Sequence, residues 1–370
     1  MTKPPLPTQT QFRLDRLFRS DSLVVIREFL ARNPELWFLV KGRILQIYAI
    51  VDANVVQAEL RWRLGKRENP QARSGLEESL DAGTLVLIAP NFLRVEIQKY
   101  LAEIAEETHR TLPEAEEEWK LFAAKLRFYQ PSSTVPTGEV VDPKDLPYKI
   151  ASDELGLPVY TRDAHLDRMN APVLSLCIDL ACRDHARASG VTLGVTMGSG
   201  VSVTVGIKAL CEAVKGIRIL FEGFRRLPVW VQAGIAGAIT LAAAHPKSRA
   251  KITQLCGSAW GLASEMKEPL FKVLMAVMEQ LAAAQLEGKR TRNEIQAALP
   301  QTKKATALLF AKRICVACGE PTSIGEIAHR MRIAGYVSRA KDFESYLRRV
   351  LRASRQFVEV SPGLWQLGQS

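Results

Sequence analysis

Apolar positions in the first half of the chain fall into short unbroken runs separated by longer amphipathic stretches. Gln46 leads into IYAIVD, Gly83-Thr84 leads into LVLIAP, and PVYT ends at Arg162-Asp163. Short continuous runs of this kind read as strands buried on both faces. Between them the spacing becomes helical. NVVQAELRWRL follows the first run, and Asn91 opens FLRVEIQKYLAEIAEETH after the second. An acidic helix is expected over about Glu114–Tyr129, and Asp142-Pro143 opens a helix to about Leu155, where Gly156 breaks it. Strands alternating with helices of this length predict a parallel sheet with helical crossovers.

The pattern changes on both sides of this block. Residues 1–45 read as a helical N-terminal extension, in which Ser20-Asp21-Ser22 caps a run to about Arg32 and Pro34 restarts a second toward Gly42. Residues 176–300 read as a mainly helical middle region, with helices at about 248–265 and 268–287 and a polar linker or short helix at 290–300. Within it, VTLGVTMGSGVSVTVG at 191–206 alternates apolar and small residues around Gly198-Ser199-Gly200, which predicts a β-hairpin. Residues 301–370 predict three helices and a hairpin. KKATALLFAKRICVAC comes first, Thr322-Ser323 caps IGEIAHRMRIAG, and KDFESYLRRVLRASR precedes FVEV and LWQL on either side of a Pro-Gly turn. Phe357 and Trp365 alternate as core positions of that hairpin.

A chain of 370 residues is long enough for two or three domains. The 47% apolar content excludes wholesale disorder. Net charge is +11, but it is unevenly spread: residues 47–175 carry 15 basic and 21 acidic side chains, residues 290–370 carry 14 and 6. That asymmetry points to carboxylate chemistry in one module and attraction to polyanions in another. The first residues lack the apolar core of a secretory signal, so a cytoplasmic, reducing location is expected and the six Cys are read as thiols. Cys315-x-x-Cys318 has ligand-like spacing but no second pair, and reads as two packed helix residues. Leu227–Ala244 and 189–207 carry no charge and approach the length of a membrane span. Their small polar residues, with Pro228 and Gln232, favour a soluble reading. So does the set Lys208, Lys215, Arg218, Arg225 and Arg226, which a two-span hairpin would place outside. A membrane-associated or oligomer-forming segment is the alternative.

Four carboxylates fall at strand ends or in the helices that follow: Asp52 ends the first strand, Glu96 lies in the helix after the second, Asp145 is in the first turn of the helix opened at Asp142, and Asp163 ends the last. In an open parallel sheet these positions converge on one edge. Carboxylates so gathered raise one another's pKa unless a cation compensates, and Mg²⁺ or Mn²⁺ is the natural partner for oxygen ligands. Asp142 reads as a helix cap, and His165 and Asp167 as surface residues. The segments IVDANV, LIAPNFLRVEIQKYL and DPKDLPYKIASDELGLPVYTRDAHL resemble the PIN-domain nucleases in content, order and spacing over about residues 46–175. The resemblance implies a three-layer α/β/α domain in which Asp52, Glu96, Asp145 and Asp163 bind Mg²⁺ or Mn²⁺ and RNA is cut by metal-activated water. Asn54 and Thr161 stand where the family commonly has a polar residue supporting the acids.

The C-terminal succession EIA, GY, SRAKDF, YLRRVL and FVEVSPGLWQL resembles winged helix-turn-helix domains of the HARE-HTH type over about 302–367. On that likeness, Arg339, Lys341, Arg348, Arg349, Arg352 and Arg355 are the expected phosphate contacts to DNA or RNA. The combined expectation is a metal-dependent endoribonuclease with RNA as substrate, targeted or regulated by the winged helix. The alternatives are a DNA-binding regulator on a non-catalytic PIN-like scaffold, and a toxin or defence RNase held by an antitoxin or other regulatory protein. A homo-oligomer is compatible with each.

Overall fold

The computed structural model describes residues 23–27, 45–69, 71–132, 142–163, 165–175, 177–205, 267–300, 306–338 and 340–368. The Leu227–Ala244 run, the helix expected at 248–265, Cys211, Cys256, Arg339 and the N-terminal helices apart from a helical piece at 23–27 lie outside the described residues.

Strand β1 (Ile47–Val51) is buried at every position, as an apolar run in the middle of a sheet must be. It is followed by α1 (Ala53–Arg61), a π-turn at Trp62–Lys66, and α2 (Gly75–Asp81), which Ser74 caps through the Glu77 amide. Strand β2 (Leu85–Pro90) leads to α3 (Phe92–Glu107) and α4 (Leu112–Ala123), the latter opened by a Thr111–Glu114 capping box. Then come β3 (Arg127–Tyr129), α5 (Leu146–Leu155), β4 (Val159–Tyr160) and the short α6 (His165–Arg168). The four strands form a parallel sheet in the order β3-β2-β1-β4, with Ile47 opposite Leu85 and Ile50 opposite Val159. Helices α1, α3 and α4 pack on one another, while α5 packs on β1, β2 and β4 apart from them, the two-faced arrangement that right-handed crossovers on either side of a switch point give. The α/β architecture with a parallel sheet is the one the alternating pattern predicts.

Four local expectations need correction. The acidic helix stops at Ala123, and Arg127–Tyr129 is an edge strand paired with Ile88–Pro90, too short for its alternation to register beside a strong helical pattern. The helix expected from Asp142 begins only at Leu146. Proline is tolerated in a first turn but removes a hydrogen bond from a helix interior, so Pro147 forces the later start, and Asp142 closes a turn by accepting from the Lys144 amide at 2.8 Å. The hairpin expected at 191–206 is helical to Val205, within α7 (Ile178–Val205). Its alternation is overridden because α7 lies along α8 (Lys267–Ala298), and Thr192 satisfies its own hydroxyl on the Ala188 carbonyl one turn back. Residues 290–298, expected as a linker or short helix, are the end of α8.

The C-terminal residues form α9 (Ala307–Cys318), β5 (Thr322–Ser323), α10 (Ile324–Ile333), α11 (Phe343–Arg352), β6 (Phe357–Ser361) and β7 (Leu364–Leu367). The strands make an antiparallel sheet in the order β5-β7-β6, with Gly363 at φ +82° in the turn. Phe357 and Trp365 are buried, as their alternation predicts. Helix α9 belongs to two cores at once. It packs on α10 and α11, and also on α5, β2 and β3. Arg313 donates from Nε to the Leu155 carbonyl (2.7 Å) and from Nη2 to the Gly156 carbonyl (2.5 Å), capping the end of α5. The basic module is therefore seated on the sheet rather than tethered to it.

Candidate active site

The strand order reverses between β1 and β4, so the loops after these two strands diverge and leave a crevice at the carboxyl edge of the sheet. Asp52 stands at that point. It is only 5% exposed, and its Oδ1 accepts from the Ala53 amide at 2.6 Å, capping α1. Its Oδ2 accepts from the Thr161 hydroxyl at 2.5 Å. The same hydroxyl accepts from Asn54 Nδ2 (3.0 Å) and from the Asp163 amide (2.9 Å), while Asn54 Oδ1 accepts from the Arg162 amide (3.0 Å). Thr161 and Asn54, expected as supporting residues, thus lock the loop after β4 against the start of α1.

Glu96 reaches the edge from α3, and its Oε2 accepts from the Tyr148 hydroxyl at 2.5 Å. Asp145 immediately precedes α5 and makes no cap bond with its side chain, which leaves Oδ2 buried and without a hydrogen-bond partner. Asp163 caps α6 through the His165 amide at 2.9 Å, and His165 Nδ1 lies 3.4 Å from Asp163 Oδ2 and 4.0 Å from Asp145 Oδ2. The four acids share one electrostatic neighbourhood. Burial pushes Asp52 up to about 6, with Glu96 and Asp163 adding to the rise and the bonds from Thr161 and Ala53 opposing it. Burial likewise pushes Asp145 up to about 6, helped by Asp52, Asp142 and Asp163 and opposed by His165. Glu96 is raised by burial and by Asp145, against the Tyr148 bond and the ammonium groups of Lys144 and Lys99. Among the described residues no Lys or Arg forms an ion pair with any of the four.

The tightest set of potential ligand atoms is not the expected foursome. Asp142, Asp145 and His165 each offer one atom within 4.8 Å of the others. Asp142 keeps its turn-closing bond while doing so, and His165, read from the sequence as a surface side chain, is 41% exposed yet turned toward two of the acids. Asp167 is exposed and stands apart from the set. Tyr148, 1% exposed, is a participant the sequence did not disclose, because an aromatic residue on the inward face of a helix reads as core.

On the C-terminal module Lys341, Arg348, Arg349, Arg352 and Arg355 are all exposed. Arg348, Arg349 and Arg352 line a shallow groove of about 410 Å³ along α11 with Ser345 and Ala353, and Arg352 pairs with Glu359 at 3.4 Å. Cys315 is buried, which pushes its thiol up to about 12 and makes it inert, consistent with packing. No helix of the described residues is long and apolar enough to cross a membrane. No protein-family model, curated protein or solved structure matches the chain. What the edge can do must follow from its geometry.

Proposed function

We propose that the carboxyl edge is the active site of a divalent-metal-dependent endoribonuclease, with a PIN-like arrangement of acids, and that residues 306–368 form a winged helix whose α11 face meets nucleic acid. The observation that carries the reading is an excess of carboxylate with no ion-paired Lys or Arg among the described residues. Asp52, Glu96, Asp145 and Asp163 lie within electrostatic reach of one another at one switch point, and a buried oxygen of Asp145 has no hydrogen-bond partner. This donor set fits a hard cation, since Mg²⁺ and Mn²⁺ take carboxylate oxygen and favour the ionised form that burial here opposes. Asp52, Asp145 and Asp163 would hold the ion, Glu96 would complete the set or orient a second ion, and Asp142 and His165 extend it on the outer side. When bound, such a cation neutralises charge on a phosphoryl group and makes water acidic enough to act near neutral pH.

The chain's own contribution is positional. Thr161 holds Asp52 Oδ2, Tyr148 holds Glu96 Oε2, and His165 Nδ1 stands 3.4 Å from Asp163 Oδ2. With water as nucleophile, the products would carry a 3′-hydroxyl and a 5′-phosphate. A second reading, a nucleic-acid-binding regulator without catalysis, draws its support from the exposed arginines of α11. The two separate in one assay, in which the purified chain is incubated with single-stranded RNA in Mg²⁺ or Mn²⁺ beside Asp52→Asn. Cleavage that drops about hundredfold or more in the variant is expected. RNA left intact by the wild type with both metals, or cut equally by the variant, overturns the nuclease reading.

A further inference from the structure

We infer that Arg94, seated over the ring of Phe128, is a stacking platform for one base of a single-stranded polynucleotide beside the acidic edge. The identity of the substrate rests on the nuclease reading; the platform rests on its own geometry.

The guanidinium carbon of Arg94 lies over the Phe128 ring, 3.6 Å from its centroid, well within cation–π range. Phe128 sits near the carboxyl end of β3, paired with Ala89, and Arg94 is in the first turn of α3, directly after β2. The Asn91 amide donates to the Tyr129 carbonyl at 2.9 Å and fixes this turn against the strand. Because α3 packs beside α1, the pair is on the same side of the sheet as the residue that caps α1, Asp52. Two strand spacings separate β3 from β1, so the platform is roughly 10 Å from Asp52, and Glu96 follows Arg94 on the same helix.

Arg94 also differs from its neighbours in charge pairing. In this part of the chain Arg61 binds Glu103 and Glu107, Arg63 and Arg67 bind Glu118, and Lys125 binds Asp81. Arg94 is exposed and has no carboxylate partner among the described residues. Lys99 and Lys144 are also exposed and form no ion pair among the described residues, and both act on Glu96. The edge therefore combines a cation–π pair, two ammonium groups within electrostatic reach of Glu96, and the acids. A base can lie on the first, with phosphates drawn to the ammonium groups and a linkage brought to the acids. Stacking of this kind accepts any base but requires it unpaired, so it favours single strands over duplex and reads little sequence. Arginine is needed because lysine supplies charge without a planar face.

The full-length chain in EDTA is titrated into a short single-stranded RNA carrying 2-aminopurine at successive positions, with Arg94→Ala and Arg94→Lys in parallel. Both changes are at an exposed residue. We expect quenching at one position in the wild type, its loss in both variants, and binding weakened about tenfold in Arg94→Ala with part of it kept in Arg94→Lys. The same proteins are assayed for cleavage in Mn²⁺, where Arg94→Ala raises KM and leaves kcat unchanged. Quenching and affinity unaltered by Arg94→Ala overturn the platform even if Asp52-dependent cleavage is found. Arg94-dependent quenching in a protein that cuts nothing supports the platform while sinking the nuclease reading.

Discussion

Replacing Thr161 by Val tests the candidate site through a single oxygen atom. The substitution keeps the shape of a side chain that is 2% exposed and removes the one hydroxyl that donates to Asp52 and accepts from Asn54 and the Asp163 amide. Asn54 and Asp163 are partly exposed and recover water, whereas Asp52 Oδ2 does not. A hydrogen bond to a buried charged group contributes about 1.5–3 kcal/mol, so with some loss at the other two a destabilisation of roughly 2–4 kcal/mol is expected. The size should depend on pH. Burial holds the folded-state pKa of Asp52 near 6, above its unfolded value, so the stability this carboxyl contributes is present at low pH and lost as pH rises through about 6. The Thr161 bond limits that loss by favouring the charged form, and its removal pushes the pKa higher still. Urea unfolding at pH 8 should therefore show the full deficit, and unfolding at pH 5, where the carboxyl is protonated, only about 1 kcal/mol. Thr161→Ser should recover most of it at pH 8. A deficit below about 0.5 kcal/mol at both pH values, or one that does not change with pH, would refute the reasoning.

Calorimetric titration with Mn²⁺ should show affinity falling as pH is lowered through about 6, with protons released on binding, because Asp52 and Asp145 are both pushed up to about 6. Affinity equal at pH 5 and pH 7.5 would count against these carboxyls as ligands. Gly156→Ala probes the seat of the C-terminal module. Gly156 has φ +57°, and a Cβ there would come 2.7 Å from Leu309 Cδ2 on α9, so a loss of about 1–2 kcal/mol from backbone strain, increased by displacement of α9, should appear as a lowered urea midpoint. An unchanged midpoint would mean that this turn is not left-handed.

Much of the scaffold was legible before any coordinates. Runs such as IYAIVD and LVLIAP are apolar on both faces, and only a sheet interior removes both faces from water, so β1 and β2 follow from pattern alone. The acids after those strands were visible for the same reason, since chain order in a parallel sheet dictates which ends share an edge; Asn54 and Thr161 were singled out only by the PIN-domain resemblance. What failed was local pattern under competition. The alternation at 191–205 matched a strand, yet packing of α7 along α8 buries Val191, Leu193 and Val195 together with Thr192 as a helix. The start of α5 turned on Pro147, a single missing N–H, rather than on the cap at Asp142.

Patterning and punctuation were thus enough to set the parallel sheet, its crossovers and the edge where carboxylates gather, since each depends on what a residue or its near neighbours can satisfy. Only the folded chain decided that Tyr148 holds Glu96, that Asp142, Asp145 and His165 come closest, that Arg94 stacks on Phe128, and that α9 completes a core over 150 residues away by capping Leu155 with Arg313. Those are contacts between segments whose separate patterns record an apolar or polar face but not the surface that will cover it.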